Sequence, residues 1–194
     1  MEVIYDFETL SQNPNRGVVL SFAMLYFDSK RFLSDQPYTF PELLKDTRFF
    51  KFEVEDQVKN YGREIQMETV EWWNRQGEVA KRQLKPTEND RKFADFFEWL
   101  NEDYKVVKKV WTRRNTFDPI FLSNILAQLE KPEIWDWWLV RDTISTIEAF
   151  TYGTDLRNDF MPEGCAEHFV KHDPQHDIVV DVIRMQDLTR ALFA

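Results

Sequence analysis

Apolar and polar positions along the chain predict strands first and helices later. Residues 2–7 (EVIYDF) read as a short strand ending in acidic residues, and 17–28 (GVVLSFAMLYFD), apolar and aromatic, as a long second strand. A third strand is expected within 31–40, before Pro41, and the alternation of 49–54 (FFKFEV) suggests a further one. The period then lengthens. Residues 67–76 (METVEWWNRQ) predict a helix that stops at Gly77, and a stronger helix covers about 88–102, with Phe93, Phe96, Phe97 and Leu100 on one face. Residues 106–112 (VVKKVWT) predict a strand feeding a helix over 119–130, with Asp118 as its cap and Pro119 in the first position. Ile120, Phe121, Ile125, Leu126 and Leu129 supply that helix's apolar face. The Trp-rich stretch 133–150 is expected to be helical in its second half. A last helix starts near Pro174, with Ile178, Val182, Met185, Leu188 and Leu192 following at steps of four, three, three and four.

Strands followed by strand, helix and helix imply an α/β or α+β domain, read here as one domain over 1–194. No internal repeat, linker or low-complexity tract interrupts it. With five glycines, the chain has no GxGxxG or GxxxxGK[ST] loop, so nucleotide-cofactor and P-loop readings lack support.

Composition narrows the class. The chain has 43% hydrophobic and 15% aromatic residues, a globular balance rather than a disordered one. No apolar run approaches the ~20 residues of a membrane helix. The first strand begins almost at Met1, which leaves no room for a leader, so a cytoplasmic protein without membrane attachment is expected. A single cysteine, Cys165, excludes an internal disulfide and a cysteine-based zinc site. Lys and Arg number 25 against 34 Asp and Glu, a net charge of −9. That balance argues against a protein whose whole task is to grip nucleic acid through a basic surface. It does not argue against a nuclease, because carboxylates that hold divalent cations reverse the local sign. Lys81, Arg82 and Lys85, and then Lys105, Lys108, Lys109, Arg113 and Arg114, concentrate the basic charge; each cluster reads equally as a solvated face or as a phosphate contact.

Candidate chemistry lies among the acids. Asp6 and Glu8 stand two apart at a strand end, so both side chains leave the same face. Taken alone, the pair reads as a solvated strand end as readily as a cation site. Asp118, at a helix N-terminus, reads as a plain cap or as an ionised ligand favoured by the helix dipole. The densest stretch is EHFVKHDPQHD, 167–177, which holds all three histidines at steps of four. A three-histidine zinc site on one continuous helix is the alternative there. Pro174 opposes it, because the residue before proline avoids the helical region. Asp173 then reads as a cap, His172 as part of the preceding loop, and Asp177 as part of the first helical turn.

In order along the chain, DFET at 6–9, NTFD at 115–118 and HDPQHD at 172–177 resemble the three motifs of the DEDDh 3′–5′ exonuclease superfamily. TVEWW at 69–73, RDTISTIEA at 141–149 and FVKHDPQHD at 169–177 carry a narrower likeness to T-even phage exonucleases and related exoribonuclease-like domains. The likeness spans nearly the whole chain, and three motifs in this order are specific where each alone is weak. It implies an RNase H-like α/β fold: a central mixed sheet, its first three strands antiparallel, flanked by helices. It also implies that Asp6, Glu8, Asp118 and Asp177 bind two Mg²⁺ or Mn²⁺ ions, for which oxygen ligands are suited. His172 is implied as the general base toward the attacking water, releasing 5′-mononucleotides from 3′ ends of a single strand. Thr9 and Leu10 match positions that contact the terminal nucleotide, while Asn115 and Phe117 are candidates for phosphate or base contacts. Single-stranded DNA is the favoured polymer, with RNA the alternative; a catalytically silent module that kept this fold is a third reading. Trp72, Trp73, Trp135, Trp137 and Trp138 read as core residues first and stacking platforms second. His176 is expected on the surface of the first turn, Arg141 and Asp142 in structural bonds, and His168 has no assigned role.

Overall fold

The computed structural model describes residues 1–193. Five strands, β1 (Glu2–Thr9), β2 (Val19–Phe27), β3 (Arg48–Lys51), β4 (Val110–Thr112) and β5 (Val140–Asp142), form one sheet in the order β3-β2-β1-β4-β5. β1 pairs antiparallel with β2, and β2 with β3, while β4 runs parallel to both β1 and β5. The first three strands are thus antiparallel within a mixed sheet, the RNase H-like α/β arrangement that the motifs imply. Helices α1 (Phe40–Lys45), α2 (Val54–Tyr61), α3 (Met67–Asn74), α4 (Phe96–Asn101), α5 (Asp118–Gln128), α6 (Thr143–Thr151) and α7 (Pro174–Phe193) flank it. Among the described residues, no helix is long and apolar enough to cross a membrane.

Side chains along β1 alternate between two cores. Val3, Tyr5 and Phe7 enter one with Phe22, Phe96, Phe121 and Ile125. Ile4 enters the other with Ala23, Leu25, Val179 and Val182, so α7 covers that face. Each fully buried aromatic or aliphatic side chain contributes about 1.5–3 kcal/mol, so β1 is held firmly from both faces. Tyr5 stacks on Trp135 at 5.5 Å, whereas Trp137 and Trp138 lie exposed. Trp73 and Trp135 are core, as expected; Trp72, Trp137 and Trp138 are exposed instead.

Several elements differ from the sequence reading. Residues 31–40 hold no strand. Ser29–Leu33 is a 3₁₀ turn whose Asp28 cap accepts the Lys30 N–H at 3.1 Å, and Pro37 has no N–H to offer a ladder. The third strand is Arg48–Lys51, within the alternation at 49–54. The helix expected over 88–102 shrinks to the turn Phe93–Asp95 and α4. Its first part is recruited by the sheet instead: Arg91 N–H donates to Lys51 O and Glu53 N–H to Arg91 O, both at 2.8 Å. Only Val110–Thr112 of the strand expected over 106–112 joins the ladder. On α5, Phe121, Ile125 and Leu126 are buried as expected, but Leu122 joins them and Ile120 is exposed; on α7, Leu192 is exposed although Ile178, Val182 and Met185 are buried.

Candidate active site

Asp6 and Glu8 leave β1 on the α7 side of the sheet. Their antiparallel partners are Ala23 and Ser21, small residues that leave room beside two carboxylates. A register shift between Glu8 and Thr9 ends the regular pairing, and such irregularities re-aim side chains at the ends of strands. Trp73 of α3 is buried and its Nε1–H donates to Thr9 O at 2.9 Å, which pins this end of β1. Asp118 does not cap α5. Phe117 precedes the helix, Asp118 is its first residue, and the Asp118 carboxylate accepts the Phe7 N–H at 3.3 Å. One hydrogen bond therefore fixes the third acid to the strand bearing the first two.

α7 supplies the rest. Asp173 caps it, accepting the Gln175 N–H at 3.0 Å, and Asp177 lies in the first turn. His172 sits in the loop before Pro174 with φ 64°, a left-handed backbone that costs a non-glycine residue about 1–3 kcal/mol. The His172 backbone N–H donates to Asp177 Oδ2 at 3.2 Å, which offsets that cost and ties the loop to the acid. Trp72 presents its ring edge-on to the imidazole, with centroids 4.7 Å apart. Glu8, His172 and Asp177 each offer a ligand atom, all within 4.8 Å of one another.

The charges are unbalanced. Among the described residues no Lys or Arg pairs with Asp6, Glu8, Asp118 or Asp177. Burial, then the charges of Asp118 and Glu8, holds Asp6 well above the usual carboxylate range. Burial, then Asp177 and Asp118, does the same to Glu8. Burial raises Asp118 although the Phe7 N–H works against it. Asp177 is pushed up to about 7 by burial and by Asp181, against the pull of Arg113. Four desolvated acids facing one another without a positive partner fit a divalent cation, and their oxygen donors fit a hard one. His172 moves the other way: burial and the neighbouring Lys171 lower its pKa, which favours the neutral imidazole.

These groups line a cleft of about 730 Å³ together with Phe117, Trp72, Gln12, Arg113, Arg114 and Lys171. Phe117 thus faces the same cleft as the acids. Thr9 and Leu10 are not on this wall: the buried Thr9 hydroxyl donates to Ser11 O at 2.8 Å, and Leu10 packs with Val18, Leu20 and Trp73. Asn115 also lies off the wall, its side-chain oxygen accepting the Thr112 hydroxyl at 3.1 Å. The three histidines diverge. His168 stacks on Phe40, and His176 packs on the same ring while its Nδ1 accepts the Val170 N–H at 3.2 Å. His176 is therefore a packed loop fastener rather than a surface residue. Asp142 caps α6 through the Ile144 N–H at 3.1 Å, and Arg141 bonds to backbone carbonyls, as expected. A buried acid beside the site escaped the sequence reading. Asp181 accepts from Arg113 at 2.6 Å, Arg184 at 2.7 Å and the Thr143 hydroxyl at 2.8 Å. Its signal was a charged residue one turn beyond Asp177, inside the apolar stripe of α7.

The mixed sheet, with an acid pair on its central strand and further acids and a histidine gathered around it, defines the class of DEDDh-type 3′–5′ exonucleases. The model of the family described as the 3′–5′ exoribonuclease Rv2179c-like domain matches residues 1–180, and the chain belongs to that family. It is a 3′–5′ exonuclease that acts on nucleic acid. The exodeoxyribonuclease of Enterobacteria phage T4 is 27% identical over 206 residues, covering 95% of this chain and 87% of that protein. Exonuclease I has the same fold at TM-score 0.60 and 15% identity, covering 99% of this chain and 41% of that one. The zinc-bound Escherichia coli exonuclease I–single-stranded DNA complex gives TM-score 0.61 and 18% identity, covering 97% and 39%. The chain therefore spans about two fifths of exonuclease I.

Proposed function

We propose that the protein removes 5′-mononucleotides from the 3′ ends of single-stranded DNA, with Asp6, Glu8, Asp118 and Asp177 holding two Mg²⁺ or Mn²⁺ ions and His172 acting as general base. The observation that carries this reading is the convergence of Glu8, His172 and Asp177 within 4.8 Å, in a cleft that contains Asp6 and Asp118 as well. When bound, the cations supply Lewis-acid polarisation of the phosphoryl group and stabilise charge on the leaving 3′-oxygen.

The chain's own residues account for the remaining work. The neutral imidazole of His172 takes the proton of the attacking water, a role its lowered pKa suits near neutral pH. The bond from its backbone to Asp177 keeps the base at a set distance from the acids, and the Trp72 edge restricts its ring. Trp72 and Phe117 offer the cleft aromatic surface on which an unpaired base can stack, irrespective of sequence. Likeness to a phage enzyme supports action in the cytoplasm of a cell.

The phage exodeoxyribonuclease, similar over almost its full length, favours DNA; the family description favours RNA as the second reading. A pocket that meets or excludes a 2′-hydroxyl separates the two. Matched 5′-labelled DNA and RNA single strands, digested in Mg²⁺ and then Mn²⁺, test this directly. DNA is expected to shorten one nucleotide at a time, to stop in EDTA, and to stop with Asp6→Ala or Asp177→Ala. Full activity in chelator, or internal fragments at early times, overturns the mechanism; faster loss of RNA overturns the choice of polymer.

A further inference from the structure

Arg113 and Arg114 follow one another between β4 and α5, and both line the catalytic cleft. Their surroundings differ completely. Arg113 is held by Asp181 at 2.6 Å, and that carboxylate is 1% exposed. Arg184 donates to the same oxygen, Oδ1, at 2.7 Å and the Thr143 hydroxyl to Oδ2 at 2.8 Å, so the anchor is held at both oxygens. Arg184 spends its other donors on Phe160 O at 2.7 Å and Asp159 O at 3.1 Å. Arg113 has no second partner among the described residues, and it borders the same small recess as Asp6 and Asp177. Two guanidinium groups on one carboxylate leave a net positive charge beside the acids, at a fixed place. Balancing Asp181 does not require it, since Arg184 and Thr143 already serve that acid.

Arg114 is the opposite case. Its side chain is exposed and forms no hydrogen bond or ion pair among the described residues. Only its backbone is fixed: φ is 75°, and its N–H donates to Asp142 Oδ1 at 3.0 Å.

We propose that these two arginines divide the phosphodiester between them: Arg113 is a further catalytic residue that sets a fixed positive charge on the scissile phosphate, and Arg114 grips the strand beyond it. The inference rests on the exonuclease reading. Arg113 exchanges no proton and forms no covalent bond. A charge already in position stabilises what develops in the transition state without reorganising, so its effect belongs in kcat. A mobile side chain grips substrate and transition state alike, so its effect belongs in KM.

The test is steady-state kinetics in Mg²⁺ on whichever single strand the wild type degrades. Arg113→Gln keeps a donor for Asp181 and removes the charge; Arg113→Lys keeps both. We expect the Gln variant to lose about 10²–10³ in kcat with little change in KM, and the Lys variant to recover part of that loss. A Gln variant with near wild-type kcat, or a Lys variant as slow as the Gln one, overturns the catalytic role. Arg114→Gln is expected to raise KM about tenfold, the loss of one charged contact, with kcat held. Its KM should also depend less steeply on salt, the log–log slope falling by about 0.7. An unchanged KM in this variant overturns the grip. A wild type that degrades neither polymer fails the exonuclease reading itself, and does so before any variant is made.

Discussion

Asp177 lies where a helix N-terminus favours its ionised form, yet burial and Asp181 outweigh that help and raise its pKa from 3.8 to about 7. The folded chain therefore holds more protons than the unfolded one between about pH 4 and pH 7, and stability falls as pH rises through that window. Asp6, Glu8 and Asp118 shift in the same direction. Asp177→Asn removes one of these charges. In EDTA its Tm should gain on the wild type as pH rises from 4 to 8. A tenfold change in proton affinity is worth about 1.4 kcal/mol, and 1 kcal/mol moves Tm by about 2–4 °C at this size, so a gap of several degrees is expected. Mg²⁺ should shrink or reverse the gap at pH 8; thermal melts in EDTA and in Mg²⁺ decide it. His172→Ala should lower kcat by about 10²–10⁴ while calorimetry still detects cation binding. The acids and His172 were legible through the order of the three motifs and their family likeness; the local signals, strand alternation at Asp6 and Glu8 and proline beside Asp118 and before Asp177, only placed them. Thr9, Leu10 and Asn115 carry no such signal, and their partners are set by tertiary packing. Asp181 stayed hidden because its partner Arg113 is 68 residues away in sequence.

At the scale of elements, the site depends on how ends are finished. Asp142 closes β5 and caps α6, bonding to the Ile144 N–H, the Ser145 hydroxyl and the Arg114 N–H. Asp142→Ala should cost about 0.5–2 kcal/mol and lower Tm by a few degrees; an unchanged Tm in scanning calorimetry would show that the cap does not matter. β1 and β2 were readable as apolar runs buried on both faces, and α3, α5, α6 and α7 from helical spacing. α1 and α2 were not readable, since both are short, while β3 showed as the alternation at 49–54. Arg91 shows the same limit in reverse. Its segment has helical spacing, but the sheet offers its backbone two hydrogen bonds and wins.

At the scale of the whole molecule, the net charge of −9 and the task of handling a polyanion are reconciled by position. Basic groups stand at the cleft, and the acids inside it call for cations. The assembly also joins two kinds of support. Asp6 and Glu8 ride on β1, between β2 and β4 with core on both sides, whereas His172 hangs in a loop on one backbone bond to Asp177. Amide hydrogen exchange should separate them: β1 amides open only with the entire fold, while the His172 amide opens locally. Warming below Tm should then stop hydrolysis before it stops cation binding, so heat-inactivated protein can still sequester Mg²⁺ and recover on cooling without refolding.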